Sequence, residues 1–397
     1  MSEKLAVFGG DPVRNTRIHY GRQSVDQGDI EAVAATLRGD FITCGPKIKE
    51  FEDKLCRYTG AKYAVVVSSG TAALHCTCMA AGIKAGDEVI TTPITFAASA
   101  NCARYCGADV VFADVRYDTM NIDPQKIREK VNERTKAVVA VDFTGQAVEI
   151  DEIRKICDDN GMFFIEDAAH SIGTKYKGKM IGSLADMTTF SFHPVKTITG
   201  GEGGAILTNS KKLYDRLLLA RTHFITRDPA LRPEEEGIWW YDQIELGYNY
   251  RLTDFQAAML INQLNKIDGF ICRRKEITRI YDAEFSTYDE ILKRTEIPES
   301  DTCNHLYVMR LNLEKLKCDR KLFFKAMYAE NIQAQVHYIP VYWFSYYQSL
   351  GHKRGECPIA EKVYSEIISL PLYPLMSDKD VNDVIHAVKK IIDYYRK

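Results

Sequence analysis

The chain has 397 residues, 46% of them apolar and 27% charged, enough for roughly two to three domains and a sizeable core. A formal net charge of -2 without a lysine/arginine run argues against a nucleic-acid surface, and no apolar run approaches the ~18 residues of a membrane span. The opening MSEKLAVFGGDPVR has no apolar core before its glycines, so a cytoplasmic protein is expected.

Eleven cysteines raise the question of a metal or disulfide framework. Cys76-x-Cys78 and Cys102-x3-Cys106 are the tightest pairs, both in helix-like segments, and neither a C-x-x-C pair nor a histidine pair at ligand spacing occurs. Buried free thiols are expected, and no metal.

Residues 1–25 are mixed in character and read as an N-terminal arm. Asp26 to Leu37 and Lys47 to Tyr58 carry helical apolar spacing, with Asp26 as N-cap and a Gly45-Pro46 loop signal between them. Short apolar runs then recur at Tyr63–Val67, Glu88–Thr91, Val110–Ala113, Ala137–Val141, Phe163–Ile165, Thr188–Phe192 and Ala205–Leu207, most of them separated by helix-like segments. This alternation predicts an α/β fold with a mainly parallel seven-stranded sheet covered by helices on both faces. After Thr253, a capping residue, Leu260, Leu264, Ile267 and Ile271 recur at helical steps. The division expected is a large domain over 26–270 and a smaller C-terminal α+β domain over 271–397.

In such a sheet, ligands bind at the carboxyl ends of the strands. Ser68-Ser69-Gly70-Thr71 stands at the first strand-to-helix turn, where small residues expose N–H groups suited to a phosphate or simply cap the helix. Phe96 follows the second strand, as a core aromatic or a face for a flat ring. Phe163-Phe164-Ile165 runs into Glu166-Asp167-Ala168-Ala169-His170, and carboxylates directly after a buried strand call for a cation such as a pyridinium nitrogen. Ser191-Phe192-His193-Pro194-Val195-Lys196 ends the sixth strand in a lysine followed by glycines, where desolvation lowers the amine's pKa and makes it nucleophilic. His337 and Tyr338 open an aromatic cluster that reaches Phe344, either a core or a loop facing substrate.

A phosphate cradle, a ring face, a carboxylate and a strand-end lysine together suit pyridoxal 5′-phosphate. Ser-Gly-Thr-Ala-Ala-Leu (69–74), Glu-Asp-Ala-Ala-His (166–170), Ser-Phe-His-Pro-x-Lys (191–196), Gly-Glu-Gly-Gly (201–204) and Gly-x-Asn-x-Arg (247–251) resemble, in order, the motifs of the DegT/DnrJ/EryC1/StrS family. The resemblance extends from about residue 5 to 375. It implies a fold type I, pyridoxal-phosphate-dependent aminotransferase of nucleotide-linked keto sugars. It further implies that Lys196 binds the cofactor covalently and shuttles the proton, and that Asp167 keeps the pyridine nitrogen protonated. His170 would lie near the ring hydroxyl and Phe96 on the ring. Ser69, Gly70, Thr71 and Ser191 would hold the phosphate, joined by Asn249 from the neighbouring subunit of a homodimer.

Tyr20–Asp26, Pro93–Cys102 and Phe190–Thr199 resemble one branch most, the pseudaminic acid branch. That branch aminates C-4 of a UDP-linked 4-keto-6-deoxy-N-acetylhexosamine with L-glutamate as donor. His337 and Tyr338 are expected on the sugar side of the cleft. Another nucleotide-linked keto sugar, or a non-catalytic nucleotide-sugar binder of the same fold, is the alternative.

Overall fold

Seven strands carry the architecture of the computed structural model, which describes residues 3–397. They are β1 (Tyr63–Val67), β2 (Glu88–Thr91), β3 (Asp109–Phe112), β4 (Thr135–Val141), β5 (Phe163–Asp167), β6 (Met187–Ser191) and β7 (Gly204–Thr208). They lie in the order β1-β7-β6-β5-β4-β2-β3. Only β7 runs against its neighbours β1 and β6; the other pairings are parallel. Each expected apolar run therefore became a strand, because a sheet covered on both faces demands continuous apolar sequence. Val65 and Val67 of β1 enter the core on one face, with Ile165 and Ile206. Ala64 and Val66 enter the core on the other face, with Phe164 and Phe190.

Capping fixes the helices that flank the sheet. Asp26 and Asp29 close a reciprocal capping box on the helix Gln27–Leu37. Pro46 opens the next helix, which ends at Thr59. Thr253 starts a 32-residue helix, Asp254–Phe285, with its hydroxyl donating to Gln256 Oε1 at 2.6 Å. This helix runs unbroken through position 270. Its Leu260, Leu264, Ile267 and Ile271 pack on the sheet, while Ile277, Tyr281 and Phe285 pack in a third core beyond it.

That third core holds the antiparallel strands Ile291–Leu292, Tyr307–Leu311 and Ile367–Leu370 and the helices Arg320–Ala329 and Asp378–Tyr395. The segment read as an arm, whose first two residues lie outside the described ones, sends Leu5 and Ile18 into it. Glu330 secures the segment: its carboxylate accepts from the Ala6 and Val13 N–H groups, both at 2.9 Å, and pairs with Lys390 at 3.0 Å. The eleven cysteines are free thiols, and two of them, Cys44 and Cys272, are exposed where burial was expected. Among the described residues, no helix is long and apolar enough to cross a membrane.

Candidate active site

A cavity of about 730 Å³ opens at the carboxyl ends of the parallel strands. The strands that reach it deliver side chains from their last residues and from the turns that follow. After β1, Ser69 caps the helix Gly70–Ala80 by accepting from Ala72 N–H at 3.1 Å. The N–H groups of Gly70 and Thr71 in that first turn have no acceptor within the helix, and the helix end adds partial positive charge. A Cβ on Gly70 would stand 2.9 Å from Ser191 Cβ, and one on Gly204 would stand 2.3 Å from Ser69 O. Only glycine lets this turn press against β6 and β7, so Ser69, Gly70, Thr71 and Ser191 form one small-residue cradle.

Phe96, after β2, is 63% exposed and lines the same cavity. A large aromatic left this open beside a cavity offers a face to a planar ligand. Asp167, at the end of β5, is buried and accepts from Ser99 Oγ at 2.6 Å and from Ala169 N–H at 3.2 Å. Burial raises its pKa, opposed by those two hydrogen bonds and by the charge of Lys196.

His170 is buried too. Its Nε2 lies 3.2 Å from the Tyr338 hydroxyl, while its Nδ1 has no partner. Burial first, then Lys196 and His337, holds it well below the usual histidine range and therefore neutral. Lys196, beyond β6, is half-buried against the cavity, and burial lowers its amine to about 8 against the pull of Asp167. A fraction of the amine is thus unprotonated near neutrality and able to attack a carbonyl carbon.

The C-terminal part closes the cavity. His337 donates to or accepts from Ser369 Oγ at 2.8 Å through Nδ1, and burial lowers it to about 4. Tyr338 stands 6.4 Å from Phe96, ring to ring, and burial raises its hydroxyl. Asn249 does not line this cavity. It is exposed, and its side-chain oxygen accepts from Arg251 N–H at 3.2 Å.

Tyr20 and Ser99 are among the cavity residues not expected in the site from sequence. Tyr20 reaches the cavity from the N-terminal segment with its ring 5.3 Å from that of His337, and the signal available was its place at the head of the Tyr20–Asp26 segment. Ser99 lies one helical turn after Thr95, and that spacing was the available signal.

The arrangement fits pyridoxal 5′-phosphate. A glycine-dependent cradle suits a phosphate, the open face of Phe96 suits a ring, and the buried carboxylate of Asp167 suits a cationic ring nitrogen. The amine of Lys196 suits an aldehyde.

The model of the DegT/DnrJ/EryC1/StrS aminotransferase family matches residues 23–389. The chain belongs to this family. DegT/DnrJ/EryC1/StrS aminotransferases are dependent on pyridoxal phosphate, and the fold described above is that of such an enzyme. The UDP-4-amino-4,6-dideoxy-N-acetyl-β-L-altrosamine transaminase of Campylobacter jejuni is 40% identical over 96% of this chain and 99% of its own length. The structure of Helicobacter pylori PseC, an aminotransferase involved in the biosynthesis of pseudaminic acid, superposes with a TM-score of 0.87 at 31% identity, covering 96% of this chain and 100% of that one. Spr1654 of Streptococcus pneumoniae, described as a sugar aminotransferase and solved in its PLP form, superposes with a TM-score of 0.88 at 28% identity, covering 95% and 99%.

Proposed function

We propose that this enzyme moves an amino group from L-glutamate to C-4 of a UDP-linked 4-keto-6-deoxy-N-acetylhexosamine, with pyridoxal 5′-phosphate held at Lys196. The observation that carries the reading is the convergence of Lys196, Asp167, Phe96 and the Ser69–Thr71 turn on one cavity. The likeness to the C. jejuni transaminase over nearly the whole chain supports the sugar and its C-4 position. The absence of a membrane-length apolar helix among the described residues agrees with a cytoplasmic enzyme.

When bound, the cofactor supplies an electron sink that acidifies the C–H bond next to the nitrogen it carries. The residues do the rest. Gly70 and Thr71 N–H groups and the Ser191 hydroxyl would hold the phosphate, and Phe96 would offer its face to the ring. Asp167 would keep a proton on the ring nitrogen by offering it a buried negative charge. The Lys196 amine would be the base that moves the proton from the donor carbon. His170, neutral and bonded to Tyr338, can hydrogen-bond the ring hydroxyl through its free Nδ1. His337 and Tyr338 border the side from which the sugar would enter, and the fixed face of Lys196 would set the configuration of the product.

The same reading makes the enzyme a homodimer in which Asn249 serves the phosphate of the other subunit. Asn249 is exposed and does not line its own cavity. No arginine lines that cavity, although phosphates and carboxylates must enter it. The segment just before Asn249 exposes Ile238, Trp239 and Leu246 at 91%, 71% and 80%, an apolar surface of the kind a partner covers.

The test is to offer the purified enzyme the UDP-linked 4-ketone of L-arabino configuration and its C-5 epimer of D-xylo configuration, with L-glutamate. The L-arabino ketone should be aminated with the higher kcat/KM, to give the 4-amino-altrosamine product. Preference for the D-xylo ketone, or for a dTDP- or GDP-linked sugar, would contradict this substrate.

A further inference from the structure

Asp167 is not held by the backbone alone. Ser99 Oγ lies 2.6 Å from Asp167 Oδ2 and 2.7 Å from Thr95 Oγ1. Ser99, Thr95 and Asp167 are buried, at 1%, 3% and 4% exposure, so water does not compete for these bonds. A hydroxyl has one proton to give, and an ionised carboxylate can only accept. With Asp167 ionised, Ser99 must therefore donate to Asp167, and Thr95 must donate to Ser99. The row of bonds has a single direction.

Protonating Asp167 disturbs that row. The new O–H would donate to Ser99, which would have to turn its own proton toward Thr95 or toward the Phe96 carbonyl at 3.3 Å. The row thus favours the charged carboxylate, as hydrogen bonds to an ionised acceptor do. It acts against burial, which disfavours the charged carboxylate. The charge of Lys196 works with the row, favouring the ionised carboxylate.

We propose that Thr95 and Ser99 are positioning residues that keep Asp167 ionised and aimed at the cofactor's ring nitrogen, and so keep that nitrogen protonated. This rests on the reading of the cavity as a pyridoxal phosphate site. The two hydroxyls do not touch the reacting atoms in this scheme; they act through Asp167. Their placement follows from the fold, since Thr95 and Ser99 stand one turn apart where the strand-end loop enters the helix Ala98–Tyr105.

The test uses the full-length enzyme loaded with pyridoxal phosphate labelled with ¹⁵N in the ring. Wild type should give the nitrogen shift of a protonated ring. Ser99→Ala should move it toward the unprotonated value and lower kcat about tenfold, the worth of a charge-assisted hydrogen bond, with cofactor affinity changed less than about threefold. Ser99→Thr should restore both the shift and kcat. Thr95→Val removes only the distal hydroxyl from a side chain of equal shape and should give a smaller displacement in the same direction; it serves as the test if Ser99→Ala does not fold. A wild-type shift and kcat in Ser99→Ala, or in Thr95→Val when that variant stands alone, would overturn the proposal. So would a larger effect from Thr95→Val than from Ser99→Ala. Wild-type enzyme that takes up no cofactor would bring down the reading of the site itself, and the relay with it.

Discussion

Gly70 lies so close to Ser191 that a Cβ on the glycine would stand 2.9 Å from the serine Cβ. Neither partner can retreat. Ser191 ends a central strand paired with Gly204, and Gly70 opens the helix capped by Ser69. The cradle for the phosphate is thus built by contact between two small residues 121 positions apart, read from their numbers in the sequence.

Gly70→Ala should therefore force the turn and β6 apart. Overpacking of this kind costs about 1–3 kcal/mol, which a protein of this size survives. Loss of N–H alignment should weaken cofactor binding by about tenfold or more, the worth of one or two charge-assisted bonds. Titration of the apo-enzyme with pyridoxal phosphate, followed by visible absorbance, measures it. An unchanged affinity would remove the phosphate from this turn.

The displaced amine of Lys196 makes a prediction about stability. Its pKa falls from 10.5 to about 8 on folding, because burial disfavours the ammonium. Between those values the unfolded chain binds more protons than the folded one, so the lysine's penalty is full below about 8 and fades as the pH rises toward 10.5. In apo-protein, Lys196→Met should be more stable than wild type at neutral pH by roughly 2 kcal/mol, after allowance for the half-buried position. The advantage should shrink at alkaline pH. Urea unfolding at several pH values tests the sign; an advantage that grows with pH would refute it.

Glu330 anchors the N-terminal segment that carries Tyr20 to the cavity. Removing one partner of a buried ion pair strands the other charge, at about 3–5 kcal/mol. Glu330→Ala should lose stability on that scale, because Lys390 is 4% exposed at its side chain and has no room to reach water. Glu330→Leu combined with Lys390→Met should recover part of the loss. Chemical denaturation compares the three proteins, and a double variant worse than the single one would contradict the pairing.

How much of this was legible in the chain differs between fold and site. The seven strands stood out because each is buried on both faces, as Val65 and Val66 show by entering opposite cores. The motif residues at strand ends were legible because their chemistry is unusual there: a lysine among glycines, a carboxylate after three apolar residues. Ser99 was not, since its meaning depends on Asp167, 68 residues away across two strands. Leu5 and Ile18 were not either. Isolated apolar residues in a mixed segment carry no period, and only the third core explains them. The helix Asp254–Phe285 carries no break at position 270; it changes the core it packs on between Ile271 and Ile277.

Asn249 yields a prediction about assembly. Protomers carrying Lys196→Ala and protomers carrying Asn249→Ala should each be inactive alone. Mixed and exchanged, they should form heterodimers with one intact site, and activity should approach about a quarter of wild type for a statistical two-fold mixture. No recovery after verified exchange would mean that the site is not shared.

Chemical trapping tests directly, without relying on activity, whether Lys196 carries the cofactor. Enzyme loaded with pyridoxal phosphate is reduced with borohydride, digested and examined by peptide mass spectrometry. The phosphopyridoxyl group should be found on the peptide containing Lys196, and Lys196→Ala should carry none. The group on a different lysine, or its absence from wild type, would contradict the account.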